Sequence, residues 1–383
     1  MDKEAKKTIR TFSLASFLND MGADMIFPIW PLFVTTVMGA NMAVLGLIDG
    51  LGLALVSISQ AFSGYLSDRL QKRKIFIWGG YLFGAIARIG YALSPTWHWL
   101  VPFKMLDRSG KMRGAPRDAI VAEVSDDTNR GKNFGILRMM DNLGALFGII
   151  ATLLLFGALG YKKLFIAAAI PSLLAVALII FKIKEKKTQD IYRPISFSDF
   201  DRNLLLFFII SAFFALGSFS YSFLLVFANK MGYQATSVPI FYLIYTAFAM
   251  LFSLPFGKLA DIIGRKKVFM ISYAIFALMC FGFIMVRQKW MLFLLFPLYG
   301  LHLASIEPVQ RAFVSELAPK NFKASTLGAY QMVVGILALP ASLIAGLLWE
   351  KVASWAPFAF SLVMAFIAFS MLFFVRETSN AHR

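Results

Sequence analysis

Mostly apolar segments alternate with short polar breaks along the whole chain. Twelve such segments fall near 11–36, 42–66, 75–95, 98–124, 131–156, 161–183, 204–229, 236–260, 267–286, 290–316, 322–349 and 353–376. Each approaches the roughly 20 residues that an α-helix needs to cross a bilayer. The pattern predicts an all-α integral membrane protein with twelve transmembrane helices. One break is longer than the others: KIKEKKTQDIYRPISFSDFDRN, beginning at Lys182 and ending at Asn203. It predicts two six-helix bundles, 1–183 and 204–383, joined by a polar linker at 184–203.

Composition agrees with this pattern. The 383 residues are 59% hydrophobic and only 15% charged, with a mean hydropathy of +0.70. A soluble chain is nearer half apolar and a quarter charged. The formal charge of +17 would suit a nucleic-acid partner, but the placement of the cations argues otherwise. They cluster in alternate connections: Lys3, Lys6, Lys7 and Arg10; Arg69, Lys72, Arg73 and Lys74; the linker; Lys258, Arg265, Lys266 and Lys267. The opposite connections carry few. That asymmetry predicts a multi-pass protein of the plasma (inner) membrane with both termini cytoplasmic, and a lipid partner rather than a nucleic acid. The start, MDKEAKKTIR, has no small-residue cleavage site and reads as a cytoplasmic tail. Cys280 is alone, and His98, His302 and His382 are scattered, so neither a metal cluster, a cofactor site nor an enzyme is expected.

The two blocks repeat. GYLSDRLQKRK from Gly64 matches GKLADIIGRKK from Gly257, so Gly64, Leu66 and Asp68 fall on Gly257, Leu259 and Asp261. AEVSDDTNRGKNFG matches SELAPKNFKASTLG, with Glu123 on Glu316 and Gly135 on Gly328. Both matches share an offset of 193. Parallel repeats of six spans are a transporter architecture, with solute held near mid-membrane at the repeat interface.

The G-x-L-x-D-R pattern at Gly64, Leu66, Asp68 and Arg69 resembles the signature of the major facilitator superfamily. So does the second copy, with Asp261, Gly264, Arg265 and Lys266, and so does E-x(6)-R-G at Glu123, Arg130 and Gly131. The resemblance covers the whole chain and implies that family's fold, alternating access, and a cavity lined by spans one, four, seven and ten. It departs at Gln71, where the family usually has Gly. Span five, GALFGIIATLLLFG from Gly144, lacks the Gly-Pro motif of the proton-coupled drug antiporters, which lowers the case for drug export. Asp68 reads as a latch that pairs with Arg residues in one conformation only, and the resemblance implies the same role. The competing reading is a basic turn that sets topology. Arg69, Asp261 and Arg265 are gating candidates with it.

Span four is the most informative stretch: LDRSGKMRGAPRDAIVAE from Leu106. A charge near mid-bilayer costs at least about 2.5–3.5 kcal/mol, so such groups must face water or opposite charge. At 100° per residue, Lys104, Asp107, Arg108, Lys111 and Asp118 share one face, and Arg113 and Arg117 lie opposite. Across the first six spans Arg88, Lys104, Arg108, Lys111, Arg113, Arg117 and Arg138 nearly balance Asp20, Asp24, Asp49, Asp107, Asp118 and Asp141. Asp20 and Asp24, four apart in span one, would face span four, and Pro28 and Pro31 would kink their helix. Asp49 and Arg88 would pair with each other, as would Arg138 and Asp141. Arg113 and Arg117 would be structural or would gate with Asp68. In the second half, Glu307 and Arg311 would pair, His302 would carry a proton or be a hydrogen-bonded wall residue, and Ser218, Ser220 and Tyr221 would donate hydrogen bonds.

These features predict a secondary active transporter of a small organic solute, acting as a monomer. The solute- and proton-binding candidates are Asp20, Asp24, Lys104, Arg108, Lys111, His302 and Glu307, with the proton as coupling ion. The cation excess on the front of span four favours an organic anion. A proton-coupled antiporter of cationic compounds is the alternative. A membrane sensor or receptor that keeps the fold without transport is an alternative of another class.

Overall fold

The computed structural model describes residues 3–70, 72–125, 130–183, 201–318 and 323–375. Helices carry nearly all of the described backbone, and no strand occurs among them. This is what a bilayer requires of a chain that does not close into a barrel, because a helix satisfies its own backbone hydrogen bonds.

The first span is α1 (Lys3–Asp24), a short α2 (Trp30–Leu32) and a π-helical turn at Phe33–Val37. Its interruption falls at the prolines, where α1 stops at Asp24 and the chain turns before resuming. Spans two and three are α3 (Met42–Leu70) and α4 (Arg73–Leu93). Span four is composite: α5 (Trp97–Ser109), a 3₁₀ turn at Gly110–Arg113, then α6 (Gly114–Glu123). Spans five and six are the two arms of α7 (Arg130–Lys182), divided at Gly160, whose φ of +65° only glycine adopts readily. Span seven is α8 (Arg202–Gly217) with α9 (Ser222–Lys230). Spans eight to twelve are α10 (Val238–Ile263), α11 (Arg265–Met285), α12 (Leu292–Leu317), α13 (Lys323–Lys351) and α14 (Ala356–Leu372). Twelve spans are therefore present. Eight stretches are apolar and long enough to cross a membrane by length and composition alone, one of them holding both arms of α7. The α1 and α5–α6 spans, rich in charge, are not among them.

Contacts divide the chain into two compact units: Met1–Ala40 with Leu55–Arg193, and Asn41–Ala54 with Pro194–Arg383. The second unit thus contains the N-terminal half of α3. The Met42 N–H donates to Glu350 Oε1 at 2.7 Å, and Gly46 packs directly on the Ser342 carbonyl, where any side chain would collide.

In the first unit, Phe12 and Ala15 of α1 bury against Ile77 and Tyr81 of α4, Val121 of α6 and Ile179 of α7. On another face of α1, Gly144 and Gly148 of α7 lie directly on the Phe17 and Met21 carbonyls. Small residues permit this approach, and close backbone packing is what drives helix association where lipid is as apolar as the side chains. The second unit uses the same device, with Gly300 on the Tyr245 carbonyl, and adds a larger set of aromatic contacts. Phe214 stacks on Tyr273 at 4.1 Å between centroids, Phe283 on Phe358 at 4.6 Å, and Phe207 meets Phe313 edge-on at 4.9 Å. Such pairs add to the area they bury. At the ends away from the basic turns, Trp99, Trp290 and Trp355 are exposed, matching the aromatic girdle of a membrane interface.

Candidate functional site

The charges of span four sit where its helix changes pitch. The 3₁₀ turn at Gly110–Arg113 advances each residue by about 120° rather than 100°, so four residues rotate the remainder of the span by roughly 80°. Gly80 of α4 and Gly110 lie against each other's carbonyls there, with no room for a side chain on either.

This rotation overturns the expected faces. Arg113 and Arg117 do not point away; they are buried at the centre of the network. Arg113 Nη2 reaches Asp20 Oδ1 at 3.4 Å and its guanidinium lies 4.9 Å from the Tyr81 ring centroid. Arg117 contacts Asp118 at 3.0 Å and Asp141 at 3.4 Å, and donates to Ser16 Oγ at 2.6 Å. Arg138 closes the chain of pairs, 2.9 Å from Asp118 and 3.2 Å from Asp141. The Arg138–Asp141 pair is the one expected in span five. Three guanidiniums and three carboxylates from α1, α6 and α7 and the 3₁₀ turn thus balance in two adjoining groups, the Arg113–Asp20 pair and the Arg117, Arg138, Asp118, Asp141 square, with Arg117 in the field of Asp20.

Two cations of α5 rest on rings of span one instead. Lys104 Nζ lies 3.9 Å from the Trp30 ring centroid, and Arg108 lies 4.7 Å from that of Phe27. Cation–π contacts of this kind hold a charge without neutralising it. Arg108 also approaches Asp107 at 3.6 Å. Asp24 is buried at the end of α1. Lys111 lies in the field of Arg113 and Arg108 and of the carboxylates Asp20 and Asp107, yet among the described residues no carboxylate comes within 4.0 Å of it.

Arg88 and Asp49 do not pair. Arg88 donates to the Ala168 carbonyl at 3.0 Å, to Ser172 Oγ and to Asn19, all in the first unit. Asp49 is buried in the second unit and accepts from Ser220 Oγ at 2.8 Å and from Ser222. Ser220 is therefore a donor, as expected of span seven, but to a protein carboxylate. His302 is buried, with Nδ1 3.1 Å from the Ser272 carbonyl and 3.0 Å from its hydroxyl; Phe214, Phe276 and Tyr299 surround the ring. It is built into an aromatic wall. Glu307 is exposed. The side chains of Asp68 and Arg311, and most of the linker, lie outside the described residues.

At the basic end each unit carries the same staple. In the first, Arg73 pairs with Glu123 and Lys74 Nζ donates to the Ile180 carbonyl at 2.8 Å. In the second, Arg265 pairs with Glu316 at 2.7 Å and Lys266 Nζ donates to the Phe373 and Val375 carbonyls at 3.0 and 2.8 Å. Asp261 is exposed and 3.9 Å from Arg265. An Arg-Lys pair at the first residues of α4 and α11 thus ties the third helix of each bundle to its fourth and sixth. The Lys also caps the open carbonyls of a helix C-terminus. Arg69 is exposed. The sequence signal for the staple was Glu123 falling on Glu316. Its partners were obscured because Arg73 and Arg265 are 192 apart rather than 193, a one-residue shift in the turn.

The family model of the Major Facilitator Superfamily matches residues 12–252 and again 205–383. The chain belongs to the major facilitator superfamily. It is 38% identical over 388 residues to the uncharacterized MFS-type transporter MJ1317 of Methanocaldococcus jannaschii, covering 98% of this chain and 96% of that one. A shorter match, 27% identical over 133 residues, covers 34% of this chain and 32% of the multidrug resistance protein MdtH of Shigella boydii. Among solved structures, the nucleoside transporter NupG superposes with a TM-score of 0.79 at 17% identity, covering 96% of this chain and 98% of that one. A POT family transporter in complex with 5-aminolevulinic acid superposes with a TM-score of 0.79 at 14% identity, over 96% and 95%. At these identities the structural likeness concerns the fold. This member of the superfamily is a multi-pass membrane transporter.

Proposed function

We propose that this transporter moves a small organic anion across the membrane together with a proton, by alternating access. The observation that carries the reading is Lys111. Its neighbours Arg113 and Arg117 are neutralised by Asp20, Asp118 and Asp141, whereas no ion pair among the described residues ends on Lys111. A lysine held inside a bilayer demands a counter-charge, and an incoming carboxylate or phosphate supplies one. Arg108, turned across the Phe27 ring, would be the second contact. Asp20 links solute to proton: it shares its field with Lys111, Arg113 and Arg117. Neutralising it strengthens the pull of those cations on an anion. Asp24 is the second acid in reach of that role, and Lys104 extends the cationic wall.

Proteoliposomes with an imposed inward-acid gradient test this. Uptake of a labelled organic anion is expected to saturate and to show counterflow. Lys111→Gln is expected to lower it at least tenfold while the thermal midpoint in detergent stays unchanged. Uptake that survives in Lys111→Gln would sink the assignment. The partial match to MdtH favours a second reading, a cation–proton antiporter using Asp20 and Asp24; cation efflux abolished by Asp24→Asn would establish it. Absence of counterflow for every solute would leave the sensor reading.

A further inference from the structure

A groove of about 610 Å³ runs between α1 and the first arm of α7, wholly inside the first unit. One wall is the i, i+4 row Lys6, Arg10 and Leu14; the other is the parallel row Lys132, Ile136 and Met140. Both rows change from charged to apolar in the same direction. Each spans nine residues, about 12 Å of helix over its eight steps, so the groove is cationic at its mouth and apolar at depth. Among the described residues no hydrogen bond or ion pair engages Lys6, Arg10 or Lys132, which are all exposed. At the junction of the two zones Ser13 lines the groove. Its hydroxyl is buried, the residue being 4% exposed, and among the described residues it has no hydrogen-bond partner. Buried hydroxyls ordinarily have one.

We propose that this groove is a binding site for an anionic phospholipid. Its phosphate lies among Lys6, Arg10 and Lys132, its glycerol oxygens accept from Ser13, and an acyl chain runs along Leu14, Ile136 and Met140. Basic pockets between helices at the cytoplasmic face are a recognised means of holding such headgroups. A soluble anion would use the mouth and leave the apolar floor empty, whereas a lipid fills both. The site is separate from the charge network, whose members do not line it.

The test is native mass spectrometry of the full chain in detergent, titrated with phosphatidylglycerol or phosphatidylcholine. One phosphatidylglycerol is expected to bind per chain in preference to phosphatidylcholine. The triple variant Lys6→Gln, Arg10→Gln, Lys132→Gln is expected to weaken it by roughly 100-fold, taking about fivefold for each cation. Ser13→Ala and Met140→Asn are expected to weaken it less. A control triple, Lys72→Gln, Lys258→Gln, Lys267→Gln, removes basic-end charge elsewhere and is expected to change nothing. Equal loss in the control, or equal retention of phosphatidylcholine, would reduce the groove to unspecific surface charge. Displacement by glycerol phosphate at the lipid's own affinity, indifferent to Met140→Asn, would overturn the lipid in favour of a soluble anion.

Discussion

The two bundles share a topology and a basic-end staple but are held together inside by different physics. The first closes around Arg113, Arg117, Arg138 and three aspartates. At an offset of 193 from Asp20, Asp24, Arg108 and Lys111, the second has Phe213, Gly217, Leu301 and Ala304. Its interior is ring against ring, with hydroxyls spanning the gaps, as where Tyr330 donates to Ser211 Oγ at 3.1 Å. A repeat therefore preserves helix order and the contacts at its turns, while its interior is free to be ionic or aromatic. Buried ion pairs are not a source of stability that aromatic packing lacks. Stability alone therefore does not account for the ionic interior of the first bundle, and the proposed anion site gives its charge a use.

The largest expected test of this contrast is Arg117→Met. It removes the buried one of the two guanidiniums that Asp118 and Asp141 share and leaves them only the half-exposed Arg138, and it is expected to destabilise the protein by about 3 kcal/mol, the low end for breaking a buried pair. Gln310→Met, at the equivalent position of the second bundle, is expected to cost about 1 kcal/mol through the lost hydrogen bond to Tyr330. Thermal unfolding in detergent measures both, and equal losses would erase the distinction between the bundles. Next in size is His302→Leu, expected to cost about 1–2 kcal/mol because the Ser272 hydroxyl loses the imidazole and keeps only the long bond to the residue-302 carbonyl. The pH profile of uptake should be unchanged, and a shifted profile would return His302 to the proton path. Glu123→Gln and Glu316→Gln are expected to cost about 1 kcal/mol each and to match one another. The smallest effect belongs to Lys74→Met and Lys266→Met, about 0.3–1 kcal/mol each. Unequal losses within either matched pair would show that the staple differs in function between the repeats.

Much of this was legible in the residues. Span positions followed from apolar runs, and the repeat from Gly64, Asp68 and Glu123 recurring together. Arg138 and Asp141 were readable because three residues along a regular helix place them side by side. In span four the sequence misplaces Arg113 and Arg117 because a fixed 100° step cannot register a 3₁₀ turn, and Gly110 alone does not announce one. Charge alone suggests Asp49 for Arg88, whereas its partners are a carbonyl, a serine and an asparagine. Such partners leave no mark in a charge pattern. The groove between α1 and α7 was invisible for a related reason: its two rows lie more than a hundred residues apart, and neither looks unusual alone.

The staple also bears on how the chain is made. Lys74 waits for a carbonyl 106 residues further on, and Lys266 for one 107 residues further on. In each half this tie can form only after the sixth helix of that half has been made. Until the sixth span of a half has been synthesised, the lysine at the start of its third helix has no helix C-terminus to cap. The staples of the two halves can therefore close one after the other, but α3 cannot finish with the first: Met42 and Asp49 wait for Glu350 and for Ser220 and Ser222 of the second half, so a gene divided within the linker should yield a first half whose α3 stays unpacked until the second is supplied.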